Sequence, residues 1–396
     1  MSKNLAVWTA LTLVSPILVC NGLGCNGPSE TEADVPIVDA GIDTGDDAGI
    51  DTTRDIASAE DTHVDAMMDA GPDWPEQNMR GAAPLDLSWT MPEAGAESFS
   101  VLVANVGNID ITRCTSVAFN LCWVEQEEII AARIAERDPD VILLQEVLAA
   151  DQCDAVEDPG EDHICHPSFD PAVPDQVRRL VGDDYTIACD ARHGWECIAV
   201  KVGVGSIEGC DDGTFCADGA RVAPVVDECE PGFTASAVTA TIAGRTLDIV
   251  NVHPPSNISG PVAGQACRRA YLEYVFGNGD TIVESDLVFV GGDFNMDPYR
   301  EDEGAPDISY WSEFVGLHYG GEKEFAYHSG IVENDPPYWT SVFSRKTLDH
   351  AVSNGLIGRC VTLGAQAGYG PIDDFHGTAI ERLDHLALWC RLGFGD

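Results

Sequence analysis

Positive charge is what this 396-residue chain has least of: 21 Lys and Arg stand against 67 Asp and Glu, a formal net charge of −46. A protein that grips a nucleic-acid duplex neutralises phosphates with clustered Lys and Arg, and that contribution dominates its affinity. No basic stripe of that kind occurs. Arg178, Arg179, Arg192, Arg268 and Arg269 gather loosely. They suffice for a small anionic pocket, although Arg-Arg pairs on helices are more often a solvated face. HExxH and paired CxxC motifs are also missing, which argues against a zinc centre built from a tight His or Cys cluster. Long apolar runs are absent too: the stretch from Leu5 to Val19 is too short for a comfortable membrane span. An acidic composition instead fits solubility or a salty habitat.

That short run follows Lys3, and the pair reads as the n-region and h-region of a secretory signal over residues 1–25. Leu23-Gly24-Cys25 resembles a bacterial lipobox, in which Cys25 is acylated and anchors an exported cell-envelope lipoprotein to the membrane; Gly22 is atypical there and leaves plain secretion open. Removing Cys20 with the signal and Cys25 to lipid leaves 12 of the 14 cysteines, an even number that permits six disulfides in an oxidising compartment. Close spacing suggests Cys114–Cys122, Cys153–Cys165 and Cys189–Cys197, with Cys210, Cys216, Cys229, Cys267, Cys360 and Cys390 forming the rest.

Residues 26–81 are rich in Asp, Ala, Gly and Thr, with an eight-residue near-repeat that starts at Asp39 and again at Asp47. The segment has no helical or strand period and reads as a disordered, self-repelling tether. No complete EF-hand loop is present in it. From Gly27 to Arg80 it holds 15 acids and 2 bases, so the remaining domain, residues 82–396, is itself strongly acidic. That length suits one large domain. Helical periodicity covers Val124 to Arg137 and Gln176 to Val181, and the Cys-, Asp- and Gly-rich stretches Asp151 to Pro171 and Gly209 to Glu230 read as loops.

Within that domain several apolar, strand-like runs end in polar groups. Val288-Phe289-Val290-Gly291-Gly292 leads to Asp293 and, two residues on, Asn295. In extended backbone such a pair points the same way. The two glycines remove side chains where something bulky, such as a phosphate, must approach the backbone. Val141-Ile142-Leu143-Leu144-Gln145 closes on Glu146, Val101 to Ala104 on Asn105, and Leu247 to Val252 on His253; Asp349-His350 and Asp384-His385 open two further strands. A carboxylate that closes an apolar run is costly to bury without a partner. His350 reads as a strand histidine satisfied in the core.

The order of these blocks, from about Phe99 to Trp389, resembles the endonuclease/exonuclease/phosphatase superfamily of metal-dependent phosphoesterases, which includes pancreatic-type deoxyribonuclease, abasic-site endonucleases, bacterial sphingomyelinases and inositol-polyphosphate phosphatases. The resemblance implies an α/β fold, a four-layer sandwich of two mixed β-sheets flanked by helices. It implies that Glu146 ligates a divalent metal with Asn105 and Asp384 close by, and that Asp293 and Asn295 position or activate the attacking water. His385, its ring oriented by Asp349, would bind the phosphate or transfer a proton, and His253 would contact the phosphate from the other side. Leu383 stands where the family usually has Ser.

The residue types suit that chemistry independently. Hydrolysing a phosphate ester requires neutralising its charge, lowering the pKa of a water and protonating a leaving oxygen. Oxygen ligands suit a hard cation such as Mg2+, with Mn2+ or Ca2+ as substitutes. The expected protein is a monomeric, exported phosphodiester hydrolase acting on nucleic acid, a phospholipid headgroup or a small organic phosphate. Two other classes are compatible with the chain: a catalytically silent surface-binding module of the same fold, and a calcium-dependent adhesin working through the tether. An aromatic rim at Trp311 or Trp339 would favour lipid, although core packing explains such residues more often.

Overall fold

The computed structural model describes residues 97–107, 121–148, 150–156, 158–169, 175–190, 196–216, 219–222, 229, 234–254, 261–277, 282–297, 311, 314–315, 325–328, 340, 346–363, 365–366, 370–371 and 385–395. The signal, Cys25, the tether, Cys114, Arg192, Trp339 and Asp384 lie outside them. In chain order the elements are β1 (Ser98–Asn105), α1 (Val124–Arg137), β2 (Val141–Gln145), α2 (Gln176–Val181), β3 (Tyr185–Cys189), β4 (Cys197–Lys201), β5 (Gly205–Ile207), β6 (Phe215–Cys216), β7 (Arg221–Val222), β8 (Thr234–Ile242) and β9 (Arg245–His253). There follow α3 (Pro261–Phe276), β10 (Val288–Asp293), β11 (Ala326–Tyr327), β12 (Asp349–Asn354), β13 (Leu356–Thr362), β14 (Ala365–Gln366), β15 (Gly370–Pro371) and β16 (Leu388–Phe394).

Two sheets form. The first runs β13-β16-β1-β2-β4-β3-β6 and the second β11-β12-β10-β9-β8-β5, with β7 also on β8. Both are mixed: β1 pairs β2 in parallel and β16 antiparallel, while β9 pairs β10 in parallel and β8 antiparallel.

Strand alternation sorts the side chains into layers. Val101, Val103, Val141, Leu143, Ile198 and Val200 of the first sheet meet Val238, Ala240, Leu247, Ile249, Phe289 and Ala351 of the second in one buried cluster. The alternate residues Leu102, Ala104, Ile142 and Leu144 face the other way, onto Ile130 and Ile134 of α1 and Val177, Leu180 and Val181 of α2. Val250, Val252, Val290 and Val352 likewise face Tyr271, Leu272, Val275 and Phe276 of α3. Each fully buried aliphatic or aromatic side chain contributes about 1.5–3 kcal/mol. These three clusters hold four layers together: helices, sheet, sheet, helix. The expected sandwich is the observed one.

The helices follow their local chemistry. In α1, Ile130 and Ile134 lie four residues apart on the buried side, while Glu128 and Glu136 are exposed. Asp138 ends it in left-handed conformation, its N–H donating to Ile134 O at 2.9 Å, and Pro139 follows. α3 opens on Pro261, whose missing N–H is no loss there.

Several expectations need correcting. Gly291 and Gly292 make room for protein, not for a phosphate. A Cβ on Gly291 would lie 3.0 Å from Val103 Cγ2 across the sandwich, and one on Gly292, at φ +144°, would lie 2.1 Å from Val252 O on the neighbouring strand. Trp311 is fully buried against Phe294 and His350, so it forms no rim. Three of the five arginines are engaged within the fold: Arg178 donates to the carbonyls of Gly182, Tyr185 and Gly213, Arg179 pairs with Glu127, and Arg269 pairs with Glu273.

Cys153–Cys165 and Cys189–Cys197 are bonded as spacing suggests, and Cys210–Cys216, Cys229–Cys267 and Cys360–Cys390 use the remaining cysteines. Cys122 is also disulfide-bonded. Among the described residues no helix is long and apolar enough to cross a membrane.

Two core histidines are held neutral. His328 donates from Nδ1 to Gly358 O at 2.9 Å and accepts at Nε2 from the Ser353 hydroxyl at 2.6 Å; His350 donates from Nε2 to Met296 O at 2.8 Å. Burial pushes both down from 6.5 to about 4. The unfolded chain therefore binds protons that the folded one does not between those values, so their contribution to stability falls as pH drops. Thermal unfolding should show a loss on the order of a kcal/mol per histidine from about pH 6.5 towards 4. His328→Gln should flatten that slope, and an unchanged slope would contradict neutral burial.

Candidate active site

The inward-facing rows of the two sheets run apolar through the core and turn polar at one end. Val101 and Val103 lead to Asn105, Leu143 to Gln145, Ile249 to Asn251 and His253, and Phe289 to Asp293; Ala351 leads back to Asp349. Glu196, two residues before Ile198, ends the β4 row in the same way. Asn105 and Gln145 are parallel register partners, and Asp293 pairs with Asp349, so the sheet ladders themselves bring these ends together.

His253 is the link between the carboxylates. Its Nε2 lies 3.2 Å from Glu146 Oε1 and 3.8 Å from Asp293 Oδ2, and its Nδ1 lies 3.3 Å from Glu196 Oε1. Ionised carboxylates only accept, so a ring facing them at both nitrogens donates from both and is an imidazolium. Burial alone would lower the His253 pKa, but the hydrogen bonds of Glu146 and Glu196 and the charges of Glu146 and Asp293 raise it well above the ordinary value. Glu146 responds in the opposite sense. Burial pushes it up, yet His253, Asn105 and His385 together hold it down at about 2. Its backbone sits at φ +57°, a left-handed conformation that disfavours a residue with a Cβ by about 1–2 kcal/mol.

Asp293 Oδ2 is the point on which the donors converge. Asn105 Nδ2 donates to it at 3.2 Å and to Glu146 Oε1 at 3.0 Å, and His385 Nε2 lies 3.5 Å away. Burial, opposed by His385 and reinforced by the charge of Asp349, leaves Asp293 raised to about 6. His385 Nδ1 donates to Asp349 Oδ2 at 2.7 Å. Asn295 does not share a strand face with Asp293: it turns at φ +49°, its N–H donates to Asp293 Oδ1 at 2.7 Å, and its Nδ2 donates to Pro254 O.

Glu146, Glu196, Asp293 and Asp349 thus surround two imidazoles. With both rings protonated the enclosure still carries more negative than positive charge, and Glu196 Oε2 and Asp349 Oδ1 are buried with no hydrogen-bond partner among the described residues. Buried anions in surplus call for a cation, and carboxylate oxygens suit a hard divalent one. Glu146, with 12 % of its side chain exposed against 2 % or less for the other three, is the carboxylate a cation would meet first. Asn105 presents Nδ2 to this cluster, while its Oδ1 accepts from Gly107 N–H at 2.9 Å. Among the described residues no preformed group of three ligands appears.

Two buried residues escaped the sequence reading. Glu196 has no apolar run before it, but its place two residues ahead of Ile198 extends the inward row. Thr340 accepts at Oγ1 from the N–H of Leu348 and of Asp349, each at 2.9 Å, and its carbonyl accepts from Leu386 N–H at 2.7 Å. It ties the Asp349 strand to the His385 segment, and no local pattern marks it.

The family model described as Endonuclease/Exonuclease/phosphatase family matches residues 104–364, a span that contains Asn105, Glu146, His253, Asp293, Asn295 and Asp349. The chain belongs to that family. Family members are phosphoesterases of nuclease or phosphatase type and typically depend on divalent metal. No curated protein matches the chain in sequence. Solved structures similar to it include D. rerio TDP2 complexed with single-strand DNA product, at 14 % identity and TM-score 0.47 over 75 % of this chain and 99 % of that one. Others are the human Nocturnin catalytic domain with bound sulfate, at 15 % identity and TM-score 0.46 over 75 % and 94 %, and an endonuclease/exonuclease/phosphatase from Bacteroides vulgatus, at 11 % identity and TM-score 0.45 over 75 % and 99 %.

In solution His253 should carry two N–H protons at neutral pH, with a midpoint above the ordinary 6.5. Nitrogen-15 NMR of the imidazoles reads this directly. Glu196→Gln removes one raising group and should move the midpoint down; a midpoint that stays put would show that Glu196 does not hold the ring.

Proposed function

We propose that the protein is an exported, divalent-metal-dependent hydrolase of phosphodiester bonds. The observation that carries the reading is the convergence of two imidazole–carboxylate pairs, His253 with Glu196 and His385 with Asp349, on Asp293 Oδ2. Asp293, ionised, accepts a proton from the attacking water as its oxygen bonds to phosphorus. The phosphorus–oxygen ester bond breaks, and the departing oxygen takes a proton from His385. Asp349, accepting from Nδ1–H, orients that ring and stabilises its imidazolium form, so that Nε2–H faces the phosphoryl group. His253, held as a cation, offsets charge gathering on the non-bridging oxygens. A divalent ion held by Glu146, with Asp384 as a further ligand and Asn105 Nδ2 holding Glu146 Oε1 in place, would neutralise phosphate charge and lower the pKa of water when bound.

The scarcity of Lys and Arg favours a substrate engaged at a single phosphoryl group over a duplex gripped along its length. A phospholipid headgroup or small organic diester fits that better than DNA. Five disulfides in the described domain support export, since such bonds persist in oxidising compartments. Acylation at Cys25 would then place the domain at the membrane surface on an acidic tether, as a monomer.

Purified protein with Mg2+ or Mn2+ should hydrolyse at least one of a nucleic acid, sphingomyelin, an inositol phosphate and bis-p-nitrophenyl phosphate, and should stop on chelation. Asp293→Ala should lower turnover by about two to three orders of magnitude. Silence across the whole panel would defeat the proposal.

The rate should also climb with pH through a limb near 6 as Asp293 ionises. More divalent cation should move that limb to lower pH, because nearby positive charge favours the carboxylate. Profiles of kcat/KM at two Mn2+ concentrations test this; a limb that moves up, or none, would remove Asp293 as the base.

A further inference from the structure

Beneath the catalytic layer lies a pair of buried amides that the chemistry above does not use. Asn251 is fully buried on β9, two residues before His253, and faces the opposite sheet. Its Oδ1 accepts from Gln145 Nε2 at 2.6 Å, and its Nδ2 donates to Leu144 O at 2.8 Å and to Cys197 O at 3.0 Å. Leu144 and Cys197 are register partners, the last rung of the β2–β4 ladder. Past that rung one strand continues into Glu146 and the other is preceded by Glu196. A single side chain of the second sheet therefore closes the open end of a ladder in the first.

Core filling does not explain an amide at this position. Replacing a buried polar residue and its contacts by apolar groups of the same shape can be close to neutral, whereas each unpaired polar atom costs about 1–3 kcal/mol. Ile249, one step down the same row, packs with no polar partner. What an amide supplies is direction: three hydrogen bonds fix where β9 lies relative to β2 and β4. All three groups of the His253 cluster are within two residues of those bonds. The left-handed turn at Glu146 needs such support from its neighbours to persist.

We infer that Asn251 is a positioning residue: it sets the spacing and register of the two sheets at the mouth of the sandwich so that Glu146, Glu196 and His253 meet. The inference rests on the hydrolytic reading for its effect on rate, but not for its effect on structure.

The test compares Asn251→Leu, close in volume, with Val238→Ala, a core substitution four strand residues away from the site end of β8. Amide exchange followed by mass spectrometry, and kcat and KM on bis-p-nitrophenyl phosphate with Mn2+, are measured for both. In Asn251→Leu, exchange should rise about ten-fold in peptides covering Gln145 to Val147 and Glu196 to Ile198 and stay unchanged elsewhere in the sheets. Its kcat should fall roughly ten- to hundred-fold with KM within about two-fold, as expected of a small misplacement of reacting groups. Val238→Ala should lower the melting temperature yet leave local exchange and kcat as in the parent. Asn251→Ser, which keeps a hydroxyl but loses the reach to both carbonyls, should behave like Asn251→Leu and replaces it if that variant does not fold. Unchanged exchange at those two segments, or a kcat loss no larger than that of Val238→Ala, overturns the inference. If the parent protein hydrolyses no diester, the hydrolytic reading fails and the exchange result alone decides the positioning role.

Discussion

One enclosed imidazolium holds the working end of this molecule together. His253 sits between Glu146, Glu196 and Asp293, nearly out of reach of water, and its two N–H groups are the only cationic donors that Glu146 and Glu196 share among the described residues. Moving a lone carboxylate into such a place costs several kcal/mol even after relaxation, far more than a surface ion pair returns. The cluster is tolerable because each ring nitrogen meets an acceptor and because Asn105 donates to two carboxylates at once. Even so the charges do not balance. Asp293 shows the cost most plainly: burial raises it to about 6, opposed by His385 and reinforced by the charge of Asp349 across one rung of the ladder.

That concentration of charge is possible because of the way a sandwich is layered. Inward rows from six strands reach the end of the core together, and wherever each row stops being apolar its next inward side chain joins a common enclosure. The apolar part of the row fixes the direction and the last residue supplies the chemistry. Gly291 shows how close the tolerance is, since the opposing Val103 and Leu143 occupy the space its side chain would take. A wider gap there would draw Asp293 away from Asn105 and Glu146.

Much of this was legible in the sequence because both the rows and their polar ends are local patterns. Apolar runs over Val101–Asn105, Val141–Gln145 and Leu247–His253 identify strands, and an amide, a carboxylate or an imidazole at the end of each marks the site. α1 and α2 and two of the short disulfide loops follow from the same kind of reading, whereas the two-sheet sandwich is implied by the family resemblance. Pairings between distant segments do not. Glu196 is set two residues ahead of an inward isoleucine by a strand that begins at a disulfide, and nothing in its own neighbourhood points to His253. Thr340 acts wholly through backbone groups of Asp349 and Leu386, which come near it only when β12 and β16 are in place. Asp293 and Asn295 read as one strand face, but the strand stops at Asp293 because the Asn295 N–H is taken by the Asp293 side chain.

The acidity of the whole chain and the affinity proposed for an anion at this site are not in conflict, because they act over different distances. Exposed charges are screened beyond about 8 Å at physiological ionic strength, so most of the −46 is invisible to a group bound at the mouth of the sandwich. Within 4 Å, in a poorly hydrated enclosure, single interactions of several kcal/mol decide the outcome. On the proposed function, two imidazoles and a hard cation would therefore receive one phosphoryl group. A long polyanion is different, because it extends past the enclosure and meets carboxylates with no basic stripe to offset them. On that proposal, the same sequence that assembles a place for one phosphate selects against ligands that present many in a row.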